Sequence, residues 1–248
     1  MMSKYPRLGM TLIELQSLVK RLGMPGFAAK QIASWLYDKK VTSIDEMTNL
    51  SLKYRELLKQ NYEVGAEAPV EEMRSVDGTV KYLYPVGENH FVESVYIPDD
   101  ERATLCISSQ VGCKMNCKFC MTGKQGYSAN LTAHQIINQI HSLPERDKLT
   151  NVVMMGMGEP LHNVDNVIKA LQLLTDGDGI AISKRRVTLS TSGIVPNMQR
   201  IAEETGVKLA VSLHAPNNDK RSQIMPINKR YPIEDFLQAC QAYQKTVT

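Results

Sequence analysis

The run Thr104-Leu-Cys-Ile-Ser-Ser-Gln-Val-Gly-Cys-Lys-Met-Asn-Cys-Lys-Phe-Cys120 decides how this chain is read. Thr104–Ser108 is an apolar, β-favouring run. It gives way to polar residues and a glycine, and then to cysteines at 113, 117 and 120. An amphipathic stretch follows, opened by Thr132 and Gln135 at capping-box spacing. Ile136, Ile137, Ile140 and Leu143 share its apolar face, and Pro144 ends it.

Further along, the same order recurs. Apolar runs at Val152–Met157, Val187–Ser190 and Leu209–Leu213 are followed by helical patterns at Val164–Leu174, Val195–Glu204 and Ile233–Tyr243. Four strand–helix units in series predict parallel strands, in a βα barrel or an open α/β sheet. In such folds chemistry gathers at the carboxyl ends of the strands. The residues suited to it lie there: the cysteine run, Gly156-Met-Gly-Glu-Pro160, Ser190-Thr-Ser-Gly193 and Ser212-Leu-His214.

Soft thiolates at C-x3-C-x2-C spacing select zinc, copper(I) or an iron–sulfur cluster. Structural zinc wants four ligands, and no fourth cysteine or histidine stands nearby. Three thiolates on a four-iron cubane leave one iron open, which suits one-electron chemistry on a bound substrate. A three-cysteine zinc knuckle and reduced core cysteines are the other readings of the same spacing. Five cysteines, an odd number, cannot all pair within the chain.

Toward the amino terminus the pattern changes. Residues 1–62 carry ten Lys/Arg against five Asp/Glu, residues 63–103 three against ten, and residues 104–248 sixteen against eleven. These three balances mark out a head, an extension and a core. The head reads as helices, one capped by Thr11 and Glu14, one through Ala28, Ile32, Trp35 and Leu36, and one around Tyr54–Leu58. Its excess of positive charge fits contact with nucleic acid, although a solvated helical surface gives the same count. In the extension, Thr79–Tyr84 and Phe91–Ile97 read as a hairpin about Gly87-Glu-Asn89. No apolar run is long enough for a membrane helix, and Met1–Met10 is too polar for a signal peptide, so a cytoplasmic globular protein without membrane contact is expected.

With Phe119 before its last cysteine, the cysteine run resembles that of the radical S-adenosylmethionine (SAM) enzymes. Several further stretches resemble the bacterial RNA adenine-C2 methyltransferases of that superfamily. They are Cys106-Ile-Ser-Ser-Gln-Val-Gly-Cys113, Met155-Gly-Met-Gly-Glu-Pro-Leu161, Val187-Thr-Leu-Ser-Thr-Ser-Gly193, Leu209-Ala-Val-Ser-Leu-His-Ala-Pro216 and Met225-Pro-Ile-Asn-Lys229. In the head, Ala29-Lys-Gln-Ile32, Trp35-Leu-Tyr37 and Asp45-Glu-Met-Thr-Asn-Leu50 agree.

The resemblance implies a partial (βα)6-type barrel with four units present, behind a small helical RNA-binding domain and a β-hairpin extension. It implies a [4Fe–4S] cluster on Cys113, Cys117 and Cys120, and SAM contacts at Gly158, Glu159, Ser190, Ser212, Leu213 and His214. Glu93 matches the family's proton acceptor, and Cys106 the thiol that resolves a protein–RNA intermediate and ends in a disulfide. The methyl group travels on a further cysteine, after a 5′-deoxyadenosyl radical has activated it. The implied partners are 23S rRNA, for many members tRNA, and a reducing electron donor.

Two departures stand out. Ala129 replaces an arginine found in many relatives. The family's methyl-carrying cysteine belongs to a C-terminal region that this sequence does not include, and Cys240 is expected to pack beside Phe236, Leu237 and Tyr243 instead. The sequence therefore reads as C-terminally incomplete, its fifth strand due to begin at Thr246-Val-Thr248, with an unpaired sheet edge left behind. These 248 residues alone are expected not to complete methyl transfer. A non-catalytic iron–sulfur RNA-binding fragment and an adenine-C8 methyltransferase are the competing readings.

Overall fold

The computed structural model describes residues 4–87 and 89–247. In chain order the elements are β1 (Tyr5–Pro6), α1 (Leu12–Arg21), α2 (Ala28–Ala33), α3 (Leu52–Asn61), β2 (Tyr62–Glu63), β3 (Glu71–Arg74), β4 (Val80–Pro85), β5 (Phe91–Pro98), β6 (Ala103–Cys106) and β7 (Gln110–Gly112). They continue with α4 (Met121–Lys124), β8 (Tyr127–Asn130), α5 (Ala133–His141), β9 (Asn151–Met154), α6 (Val164–Thr175), β10 (Val187–Thr191), α7 (Val195–Thr205), β11 (Lys208–Val211), α8 (Asn218–Ile224) and α9 (Ile233–Val247).

One seven-stranded sheet runs in the order β11-β10-β9-β6-β5-β4-β3. The pairs β6–β9, β9–β10 and β10–β11 are parallel, as the four repeated units predict. Each new strand adds on the same side, and α5, α6, α7 and α9 pack in that succession. All the crossovers thus cover one face. Leu105, Val152, Val187 and Leu189 point into that helical layer and are fully buried. Thr104, Cys106, Val153, Thr188 and Ser190 alternate onto the other face and stay half-exposed.

The hairpin of the extension forms as β4 and β5, with Val80 opposite Tyr96. Glu88 of the expected turn lies outside the described residues. β5 also pairs antiparallel with β6, Val95 opposite Cys106, so the extension is continuous with the parallel sheet. β3 was not legible in the sequence, because all four of its residues are exposed and no apolar alternation marks them. At the far edge, β11 is unpaired on one side among the described residues, with Leu209 half-exposed and Val211 39% exposed. Among the described residues, Thr246 and Val247 do not begin the fifth strand expected there. The helix α9 continues through Val247, and the Thr246 hydroxyl donates back to the Ala242 carbonyl.

The head folds as predicted around its caps. Thr11 and Glu14 form a reciprocal capping box, and Leu15, Leu18 and Val19 bury its apolar face. The second helix, expected to continue through Leu36, loosens into a π-helical turn over Ser34–Asp38. The head docks on α6, where Lys169 reaches Glu14 at 2.6 Å, and the start of the extension docks on α5, where Asn138 exchanges two hydrogen bonds with the Glu67 backbone, at 2.9 and 2.8 Å.

His141 lies buried in the same seam, its Nε2–H donating to the Val41 carbonyl at 3.2 Å. Burial, with Arg146, Lys40 and His134 adding positive charge nearby, pushes its pKa down to about 4. The fold therefore holds His141 neutral, while the unfolded chain takes up a proton below its ordinary value of about 6.5. Its contribution is full at neutral pH and is lost as pH falls from about 6.5 toward 4, by on the order of 2 kcal/mol. Urea unfolding at pH 7.5 and 4.5 checks this, and His141→Gln is expected to show the smaller drop between the two.

Candidate active site at the strand ends

The carboxyl ends of β9, β10 and β11 and the loop after β7 close on a cavity of about 310 Å³. Cys113, Cys117, Cys120, Glu159, Ser190 and Ser212 line it, with the rings of Phe119 and His214 in tilted contact along its wall, centroids 4.7 Å apart. Four segments far apart in sequence meet there, as the strand-end rule requires.

The cysteine loop is bracketed by the two-stranded ribbon of β7 and β8, which the sequence did not announce. Gly112 makes its bend at φ +73°, and a Cβ there would overlap the Gly126 carbonyl. Cys113 N–H then donates to that carbonyl at 2.8 Å, and Lys118 N–H to Ile224 at the end of α8 at 2.9 Å. Burial raises the pKa of Cys113 and, helped by the other two thiols, pushes Cys117 up to about 11.

Among the described residues, no group of three or more His, Cys, Asp or Glu is gathered to hold a metal ion. The thiols instead share a cavity. A four-iron cubane takes one thiolate on each of three irons, so its ligands surround it rather than meet at a point. The donor set fits such a cluster. All five cysteines are free, so the disulfide implied by the resemblance is not present.

Glu159 departs from expectation. Matched to a SAM contact by the resemblance, it is 3% exposed and its acceptor positions are filled. Oε1 accepts from Leu161 N–H at 3.1 Å and from the Thr191 hydroxyl at 2.8 Å. Oε2 accepts from the Ser192 N–H and hydroxyl, both at 2.8 Å. Its work is to tie the loop after β9 to the end of β10, which leaves backbone rather than carboxylate to face a ligand. Gly158 stands at φ +101°, where a Cβ would lie 2.6 Å from that of Gln110.

Ser190, Ser212 and His214 reach the cavity, whereas Leu213 does not line it and uses its carbonyl internally. Glu93 and Cys106 lie outside that lining, on the half-exposed face of the sheet. Val95 is the register partner of Cys106 and Glu93 is the next residue of that strand on the same face, so the two are diagonal neighbours, about 7–8 Å apart. Glu93 is ion-paired to Lys81 at 2.9 Å, a partner not legible from sequence spacing. Burial raises the pKa of the Cys106 thiol. Cys240 packs against the core with Phe236 and Tyr243 as expected, but Leu237 turns outward, 45% exposed.

A fold of serial strand–helix units with a three-cysteine loop over its strand ends defines a radical SAM protein, and the model of the radical SAM superfamily matches residues 107–247. A second, described as the ribosomal RNA large subunit methyltransferase N-terminal domain, matches residues 7–64. The chain is 78% identical over 243 residues to a protein of Bacteroides thetaiotaomicron described as "Probable dual-specificity RNA methyltransferase RlmN", covering 98% of this chain and 70% of that one. The dual-specificity RNA methyltransferase RlmN of Marinobacter nauticus is 46% identical over 244 residues, 95% of this chain and 66% of its own. A crystal structure of a radical SAM methyltransferase from Sphaerobacter thermophilus superposes with a TM-score of 0.91 at 38% identity, over 98% of this chain and 73% of that one. The chain belongs to the RlmN family of dual-specificity RNA methyltransferases.

Proposed function

We propose that this chain carries the cluster and SAM site of an enzyme that methylates carbon 2 of an adenosine in 23S rRNA and in tRNA, with a [4Fe–4S] cluster and SAM held in the strand-end cavity. The observation that carries this reading is the meeting of three thiols with the Gly158–Glu159 loop, Ser190 and Ser212 on one cavity. Cys113, Cys117 and Cys120 would hold the cluster, and Gly158, Ser190, Ser212 and His214 would hold SAM, with the Glu159 backbone beside them and Leu213 supporting the wall from behind. Bound there, the pair supplies the one-electron chemistry that an electron-poor ring carbon between two nitrogens requires.

The protein's own residues prepare the rest. Gly158 lets the loop lie against Gln110, and Glu159 fixes Thr191 and Ser192, so the cavity wall is set before a ligand arrives. Glu93, oriented by the Lys81 ammonium, would take the proton from the base. Cys106, beside it on the same face, would act as the resolving thiol. The basic head would bind RNA, with the adenine unstacked to reach the inner face. The four parallel strands, wound in one direction, support reading the core as part of a six-stranded barrel.

Anaerobic reconstitution with iron and sulfide tests this reading. The protein is expected to bind about four irons, absorb in the visible, and release 5′-deoxyadenosine from SAM under a strong reductant. Cys117→Ala is expected to lose most of the iron and the colour. A colourless protein with one zinc per chain would overturn the assignment.

A further inference from the structure

Helix α8 carries a side chain that the site as described leaves without a role. Arg221 is wholly buried. Its Nη2 donates to the carbonyls of Ser192 at 2.6 Å and Ser212 at 3.1 Å, and its Nε to the Leu213 carbonyl at 3.1 Å. Nη1 reaches Asn228 Oδ1 at 2.8 Å, and the guanidinium lies 4.9 Å over the Phe236 ring. All these acceptors are neutral. Among the described residues no carboxylate forms an ion pair with Arg221.

A buried cation without a counter-charge is costly, so this position calls for negative charge nearby. Two features show where. Ser192 accepts from Arg221 through its carbonyl and donates to Glu159 through its N–H and hydroxyl, which makes a short chain from the cation to the cavity wall. The last turn of α8 also holds the cysteine loop, the Ile224 carbonyl accepting from Lys118 N–H at 2.9 Å. One helix therefore joins the cysteine loop to the ends of β10 and β11.

We propose that Arg221 is a positioning residue that fixes the Ser192 and Ser212–Leu213 segments against the cysteine loop and supplies the positive charge that offsets an anionic cluster. The inference rests on the cluster reading above. A cluster on three thiolates becomes more negative on reduction, and a fixed cation in low dielectric stabilises that form, raising the reduction potential.

The test compares the reconstituted protein with R221M and R221K, reading the midpoint potential by EPR-monitored titration and SAM binding by equilibrium dialysis. R221M is expected to have a more negative midpoint and about tenfold or more weaker SAM binding. R221K keeps the charge but loses the fork, so its midpoint should stay near that of the unsubstituted protein while SAM binding weakens. An unchanged midpoint in iron-replete R221M would overturn the proposal. Should R221M fail to fold, R221K decides. Retained potential with weakened SAM binding supports the proposal, and any other combination overturns it. Failure of the cluster reading is told apart, because the unsubstituted protein would then give no iron–sulfur signal, and the assigned role would fall with it.

Discussion

Glu159→Gln is expected to destabilise the protein by about 2–6 kcal/mol and to reduce the iron it retains on reconstitution. The carboxylate meets a backbone N–H on each oxygen, Leu161 on Oε1 and Ser192 on Oε2, and a hydroxyl beside each. Hydroxyls can turn to accept from an amide, but a backbone N–H cannot. Whichever way the glutamine amide is placed, its NH₂ faces one buried N–H, leaving donor against donor. That costs about 1–3 kcal/mol, and the loss of charge-assisted bonds adds a similar amount. A lower urea midpoint with an unchanged slope, and fewer irons per chain, are the outcomes to look for. An unchanged midpoint would mean that the loop after β9 does not depend on this carboxylate.

Gly158→Ala is the second large effect. The residue needs φ +101°, and its Cβ would press on the Gln110 Cβ at 2.6 Å and on the Gln110 nitrogen at 2.8 Å. Backbone strain of about 1–3 kcal/mol adds to an overlap of similar size, for a loss of roughly 3–5 kcal/mol. Gln110 also takes the Glu159 N–H on its Oε1, at 2.8 Å, so the displacement passes straight to Glu159. Thermal unfolding should fall by several degrees or more, and SAM affinity should drop as the cavity wall shifts. Wild-type SAM affinity in the alanine variant would remove this loop from the binding site.

The four parallel strands and their helices were legible because each carries its own periodicity, and the capping boxes at Thr11 and Thr132 mark where helices begin. The rim residues followed from where the apolar runs end. Features that depend on partners distant in sequence did not show. Lys81 matters to Glu93 only because β4 and β5 pair in one register. Arg221 reads as an ordinary charge on a short helix until α8 folds under β10 and β11. Glu159 was correctly placed on the rim, but the direction of its side chain depends on Thr191 and Ser192, more than thirty residues away. β3 has no buried residue to betray it.

Because β5 occupies the flank of β6 opposite β9, no later strand can dock against β6 to seal a ring. The sheet can lengthen only at its two outer margins. The half-exposed face bearing Cys106 and Glu93 therefore runs on without a break into the extension, instead of being walled off by a further strand–helix unit on that side.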